Sequence, residues 1–407
     1  MLGFVQSWFT PGSNPIGVDF GTDSLRIAQV EPISGPTGDF KLVAAARADV
    51  PTHARNDAAA RIAFFLEAVR ELWAQGNFRG RKVVLSLPAS ILTIQHLRVP
   101  KMDDEALKKA LLWEARGKLP YDPSHAVMRH MVAGEIHQDG EQKHEVILMA
   151  APRGWVNEFL GAAAKAKLDV VGMNVEPKAV VECFGHIYRR KNDGDTVNCF
   201  VDIGCGATRV FIAKGQQMVF SRAVPVAGDH FTRAVAAALK IGFEDAKVLR
   251  VKQAHAHPLP GDQAKGPTDH DGLPAGLFSS APQQPNPAAI AAQRREADMV
   301  EQACREPLTK LIDELVLCRR YHEATFPTML VDRLVFVGGE ARHRNLCQAI
   351  AKGMDLAAQV GDPMVRMGRM SDIGPESGVD RRLPQPDWSV ALGLSMGPPM
   401  PIPVGAK

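Results

Sequence analysis

The sequence predicts an α/β protein, on three observations. Strand-like and helix-like stretches alternate along most of the chain. A pattern of strand, Gly-rich turn and strand occurs at 16–30 and returns at 197–224. Length and composition fit globular units, since 407 residues exceed the ~100–200 of one domain, and 45% apolar and 23% charged residues exclude wholesale disorder and collagen-like structure.

The charge balance narrows the function classes. Lys+Arg 48 against Asp+Glu 45 leaves +3, without the basic footprint of a dedicated nucleic-acid binder, so a protein or small-molecule partner is expected. Cys183, Cys199, Cys205, Cys304, Cys318 and Cys347 form no CxxC pair or metal-type spacing and read as reduced thiols, which favours the cytoplasm. No stretch reaches ~18 apolar residues and the first 18 residues carry no charge, so neither a membrane span nor a basic signal is predicted and a soluble chain is expected. Leu2, Phe4, Val5, Trp8 and Phe9 form a short apolar patch expected to pack on its own domain.

Residues 16–30, IGVDFGTDSLRIAQV, read as a hairpin around a Gly-Thr-Asp-Ser turn. From Asp57 to Gln75, Ile62, Phe65, Leu66, Val69, Leu72 and Trp73 recur at helical spacing, with Gly76 where a left-handed cap would fall. KVVLSL (82–87) and LTIQHLRV (92–99) read as a second hairpin-like pair. Asp103, Asp104 and Glu105 then open a helix whose dipole they suit, with Leu107, Leu111, Ala115 and Leu119 on one stripe and Glu105 paired to Lys109. A strand at 145–151, a helix after Pro152, a strand near 170–173 and a helix from Pro177 to about Arg190 follow.

Residues 197–224 repeat the opening grammar with a third strand added, and two helices fill about 228–252. Seven prolines in 253–287 mark a mobile surface insertion without a site. Order resumes with a long helix (288–322), a strand (333–338), a Gly-Gly turn, a helix (342–352) and a last helix near 388–396.

Chemistry concentrates in two turns, Asp19-Phe20-Gly21-Thr22-Asp23-Ser24-Leu25-Arg26 and Asp202-Ile203-Gly204-Cys205-Gly206-Ala207-Thr208-Arg209. Glycine lets backbone N–H groups approach phosphate oxygens, hydroxyls add donors, and a strand-end carboxylate can hold Mg²⁺, usually through water. Val337-Gly338-Gly339-Glu340, between strand and helix, can admit a base and ribose against its backbone. In this order the three elements resemble the actin-like ATPase superfamily. That resemblance implies two ribonuclease-H-like lobes around a nucleotide cleft, with an inserted small subdomain in the first.

Further residues narrow the resemblance: Lys82–Pro88, Val99-Pro100 before the acidic helix, Trp113-Glu114-Ala115-Arg116 through Leu119-Pro120-Tyr121, Asn174-Val175-Glu176-Pro177, Ser221 through Gly228, and Val390-Ala391-Leu392-Gly393-Leu394. Together they resemble the PilM family of type IV pilus assembly proteins, related to the cell-division protein FtsA. The resemblance implies a cytoplasmic ATP-binding adaptor at the inner face of the inner membrane. Such an adaptor captures the cytoplasmic tail of the membrane protein PilN, meets other pilus assembly components, can self-associate, and serves twitching motility. The implied division is 1–80 first lobe, 81–152 inserted subdomain beside the partner groove, 153–195 first lobe again, 196–386 second lobe, and 387–407 a helix returning to the first lobe and a tail. FtsA-like proteins end in an amphipathic membrane helix, which the four prolines of GPPMPIPVGAK preclude here.

Carried over by motif position, Asp19 and Asp202 organise Mg²⁺, mainly through water. Gly21, Thr22, Ser24, Gly204, Gly206 and Thr208 line the phosphates, Arg26 stands for a phosphate-directed lysine, and Gly338 and Gly339 face the adenosine of ATP. Glu176 is the candidate for positioning the hydrolytic water, with a helix-capping carboxylate as the competing role, and the family position implies at most a weak ATPase. Asp23, Cys205 and Glu340 depart from the family pattern. An uncompensated carboxylate ~4 Å from a phosphate costs about 4 kcal/mol at an effective dielectric of 20. Two other classes stay open: a small-molecule phosphotransferase, which needs a carboxylate base, and a nucleotide-free scaffold. Trp113, and His186 beside Cys183, are expected to be packing residues, Arg189-Arg190-Lys191 a helix end, and Arg381-Arg382 a solvated loop.

Overall fold

A computed structural model describes residues 14–33, 39–55, 57–189, 193–255, 287–368 and 377–398. The N-terminal apolar patch, nearly all of the Pro-rich insertion, Arg190-Lys191 and most of the Pro-rich tail lie outside the described residues.

In chain order the elements are β1 (Ile16–Phe20), β2 (Ser24–Pro32), β3 (Phe40–Asp49), α1 (Ala58–Gln75), β4 (Lys82–Leu87), β5 (Thr93–Pro100), α2 (Asp104–Glu114), β6 (Ala126–Gln138), β7 (Glu141–Pro152), α3 (Arg153–Lys165), β8 (Asp169–Val175) and α4 (Glu176–Ile187). Then come β9 (Val197–Ile203), β10 (Thr208–Lys214), β11 (Gln217–Val224), α5 (Gly228–Leu239), α6 (Phe243–His255), α7 (Pro287–Thr325), β12 (Arg333–Val337), α8 (Arg344–Met354), β13 (Ala358–Val360) and α9 (Ser389–Met396).

Two five-stranded sheets share one topology. The first runs β3-β2-β1-β4-β8 and the second β11-β10-β9-β12-β13. In each, an antiparallel three-stranded meander continues into two parallel strands. The sequence repeat is thus a structural repeat, and the fold is actin-like. A third sheet, β5-β7-β6, is backed by α2, whose Leu107 and Leu111 join Ala115 and Leu119 in a core with Leu97, Val99, Val146 and Leu148.

Several expectations need correction. Residues 82–87 and 92–99 form no hairpin. β4 pairs in parallel with β1 and β8, and β5 pairs antiparallel with β7. The apolar run of β4 marks a central strand covered on both faces, with Val83, Val84 and Leu85 all buried. The small sheet therefore begins at β5. Gly76 closes α1 at φ −89°, outside the left-handed region; what excludes a side chain there is the Phe78 ring. Lys108, not Lys109, pairs with Glu105, and also with Asp104. Trp113 is 66% exposed, under the Arg116 guanidinium at 4.0 Å, rather than packed in the core.

α9 is buried along Ser389–Ser395 and seats by backbone contact. A Cβ on Gly17 of β1 would strike the Ala391 carbonyl, and one on Gly393 would strike the Ala179 carbonyl of α4. Among the described residues no helix is long and apolar enough to cross a membrane.

Candidate functional site: a cleft between the two meander turns

The β1–β2 and β9–β10 turns open into one cleft of about 550 Å³, within the usual range for small-molecule sites. Its wall includes Asp19, Gly21, Thr22, Ser24, Arg26, Glu176, Asp202, Gly204, Gly206, Gly338 and Gly339. These are all but one of the twelve residues picked from the sequence. The exception is Thr208: fully buried, it donates its hydroxyl to the Val226 carbonyl at 2.6 Å and fastens β10 to the segment before α5. It is a structural hydroxyl and does not line the cleft.

Each turn is built by its hairpin. Asp19, one residue before the end of β1, is in register with Arg26, and Asp202, one residue before the end of β9, is in register with Arg209. The two turns approach each other, with Thr22 of the first against Gly206 of the second. Gly338, at φ 86°, passes beside the Asp202 carboxylate, where a Cβ would collide; only glycine allows this approach.

The cleft's charges are paired in an order the sequence did not disclose. Arg209 Nη1 donates to Asp202 Oδ2 at 2.6 Å, and Nε lies 2.6 Å from Glu176 Oε2, an ion-pair contact outside hydrogen-bond alignment. Arg26 donates to Asp387 Oδ2 at 3.0 Å. Its guanidinium is thus committed to a carboxylate rather than directed at a phosphate. Asp19 Oδ1 accepts from the Ser86 hydroxyl at 3.1 Å. Burial raises the Asp19 carboxyl above its usual range, against the pull of Arg26 and Arg209. Burial, with Asp19 and Asp202 alongside, pushes Glu176 up to about 8 in spite of Arg209.

The departures resolve the same way. Asp23 is held by Arg55 and by Lys247 at 2.8 Å, which together outweigh its burial and keep its carboxyl below the usual range. Glu340 is bound by the buried Arg250 at 2.6 Å. Neither carboxylate is uncompensated. The Cys205 thiol donates to Asp229 Oδ1 at 2.9 Å, and burial raises its pKa, so it is no nucleophile.

These residues do not fit the Mg²⁺ that the resemblance implies. A guanidinium stands against Asp202 and Glu176 and takes up the carboxylate edges a divalent cation would use; ~4 Å from such a cation it repels by about 8 kcal/mol at an effective dielectric of 20, cancelling the attraction of one carboxylate at that distance. Arg209 was within view in the sequence. The seven-residue spacing Asp19…Arg26 recurs as Asp202…Arg209, and across a hairpin it places acid and base side by side.

Comparison with known proteins supplies the rest. The family model described as Type IV pilus assembly protein PilM matches residues 17–262, and that of Cell division protein FtsA matches 199–393. Among solved structures, the PilM-PilN type IV pilus biogenesis complex superposes with a TM-score of 0.70 at 20% identity, covering 94% of this chain and 97% of the other. The ethanolamine utilization protein EutJ from Carboxydothermus hydrogenoformans gives a TM-score of 0.48 at 15% identity over 97% and 93%. ADP-bound MreB5 of Spiroplasma citri gives 0.43 at 12% over 93% and 94%. A sequence search of curated proteins gave no match. With the PilM match spanning more than half of its length, including the first turn, the whole small sheet and the second turn, the chain belongs to the type IV pilus assembly protein PilM family.

Proposed function

We propose that this protein is an adaptor of type IV pilus assembly, docking the cytoplasmic tail of a PilN-like inner-membrane protein while a nucleotide in the cleft sets the relation of the two lobes. It works peripherally at the inner face of that membrane. The observation that carries the reading is the family match, which includes the whole of the small sheet. That sheet meets the first lobe in an apolar seam walled by Leu87, Leu92, Val127, Met149, Val156 and Met173. That seam encloses only about 40 Å³, so an extended peptide would lie beside it, its backbone paired with a strand edge and its alternate side chains against apolar surface. β5 and β6 are the outer strands of the small sheet and offer the edges.

The test is calorimetric titration of the full chain with a synthetic PilN N-terminal peptide. Saturable binding is expected, lost in Leu92→Glu, a partly exposed position on the rim, with the thermal midpoint of the variant unchanged. Absence of heat with folded protein at high peptide concentration overturns the docking reading.

A further inference from the structure

We propose that Arg209 is the cleft's built-in cation: it stands against the carboxylates that would otherwise hold a divalent metal, so that the nucleotide of the function proposed above, on which this inference rests, is bound without Mg²⁺ and is not hydrolysed.

The argument starts from register. β9 and β10 pair so that Asp202 and Arg209 face each other across the neck of the second turn, and the guanidinium reaches Asp202 Oδ2 at 2.6 Å. Its other edge meets Glu176, which opens α4 and is itself 2% exposed. One cation thus ties a carboxylate of the second sheet to one at the edge of the first, with Asp19 contributing to the same field. The position is fixed by packing as well as by charge, since the Arg209 side chain is only 12% exposed.

The equivalent residue of the first turn takes a different course. Arg26 occupies the same register position opposite Asp19, yet donates to Asp387. Arg209 is therefore the one of the two register-equivalent arginines that stays with its own turn's acid. A guanidinium has five N–H donors, of which Nη1 donates to Asp202 while Nε faces Glu176; the others can donate to a phosphate oxygen beside the backbone N–H groups of the turns. Glu176, held against Arg209, is not free to orient a water at a terminal phosphate. The candidate catalytic role read from the sequence therefore gives way to this contact with Arg209.

The experiment has two arms on the full chain. In the first, Mn²⁺ is titrated without nucleotide and the free ion is followed by electron paramagnetic resonance. The parent protein and Arg209→Lys are expected to leave Mn²⁺ free, whereas Arg209→Ser gains a site that Asp202→Asn in the same background removes. Mn²⁺ bound by the parent and released by Asp202→Asn overturns the inference, as does Arg209→Ser, folded by circular dichroism, without a site. In the second arm ATP is titrated in EDTA and in MgCl₂, with the same affinity expected in both. Binding that is tenfold or more tighter with Mg²⁺, about 1.4 kcal/mol, overturns it. No ATP binding under either condition refutes the nucleotide reading instead, and the Mn²⁺ arm alone then decides the place of Arg209.

Discussion

Replacing Asp387 with alanine should loosen the floor of the cleft by an amount the structure sets. Asp387 lies in the short turn before α9 with its side chain 2% exposed, and it receives Arg26 at 3.0 Å, Arg342 at 2.8 Å and Arg47 at 3.7 Å. Arg26 and Arg47 come from the first sheet and Arg342 follows β12 of the second, so one carboxylate joins the lobes. The Arg342 and Arg47 side chains are 29% and 32% exposed, and water takes over much of what they lose, while Arg26 at 12% cannot be rehydrated in place. Removing one partner of a buried pair costs about 3–5 kcal/mol, and with the arginines partly solvated the lower half of that range applies. At ~2.1 cal/mol/K per residue the unfolding entropy of 407 residues is about 0.9 kcal/mol/K, so ~3.5 kcal/mol lowers the midpoint by about 4 °C. The measurement is thermal unfolding at neutral pH. The three arginines, working against burial, hold the Asp387 carboxyl below its usual range, so its contribution is present above the ordinary aspartate pKa and is lost as the pH falls through the lower folded value. The decisive control is Asp387→Ala with Arg26→Met, which removes both charges and should recover part of the loss. Should the double variant be as unstable as the sum of the two single ones, the orphaned-guanidinium argument is refuted.

Two further perturbations probe packing and pH. Gly393→Ala, whose new methyl would enter the Ala179 carbonyl, should destabilise by about 1–3 kcal/mol despite its better helix propensity, whereas Gly161→Ala in α3, with open space at its Cβ, should stabilise by up to about 1 kcal/mol; chemical denaturation of both reads the contrast, and equal effects would contradict the backbone-contact account of α9. Burial, then Arg189 and Arg366, push His186 down to about 4 against the pull of Asp39, with the ring edge-on to Phe40. The unfolded chain therefore binds a proton that the folded one does not between about pH 6.5 and 4, and stability falls as the pH drops through that window. His186→Gln should lose less of its thermal midpoint over the same interval, and parallel pH profiles would count against the assignment.

The parts of the fold legible in the sequence were those with a strong local period or a repeat. Helix α1 announces itself through Phe65, Val69 and Leu72 and the Asp57 cap, which accepts from the Ala60 N–H at 2.8 Å. β4 shows where local reading stops. A short apolar run is equally a hairpin strand or a central parallel strand, and only its partners, β1 and β8, decide which. β3 and β6 escape a local reading for related reasons. β3 is an outer strand carrying an alanine run, and β6, largely half-exposed, is broken by a register shift near Gly134, so neither has the clean alternation that marks a strand.

At the site, the positions were legible and the partners were not. Asp19, Asp202, Gly338 and Glu176 converge because each ends or begins an element pointing at the same gap, and strand ends followed by glycine can be read from a string of letters. Which acid meets which base depends on side-chain reach in three dimensions. Arg26 and Arg209 hold equivalent places in the repeat, yet one crosses to the turn before α9 while the other stays beside its own aspartate. Asp23 and Glu340 read as surplus negative charge until Arg55, Lys247 and Arg250, distant in the chain, are seen to neutralise them. Departures from a motif therefore carry little weight taken singly. A new carboxylate near a phosphate site weakens binding only if no cation has come with it, and here the compensating cations Arg55, Arg250 and Lys247 lie 32, 90 and 224 residues away along the chain. Arg209 differs from these in bringing its own charge to the carboxylates Asp202 and Glu176.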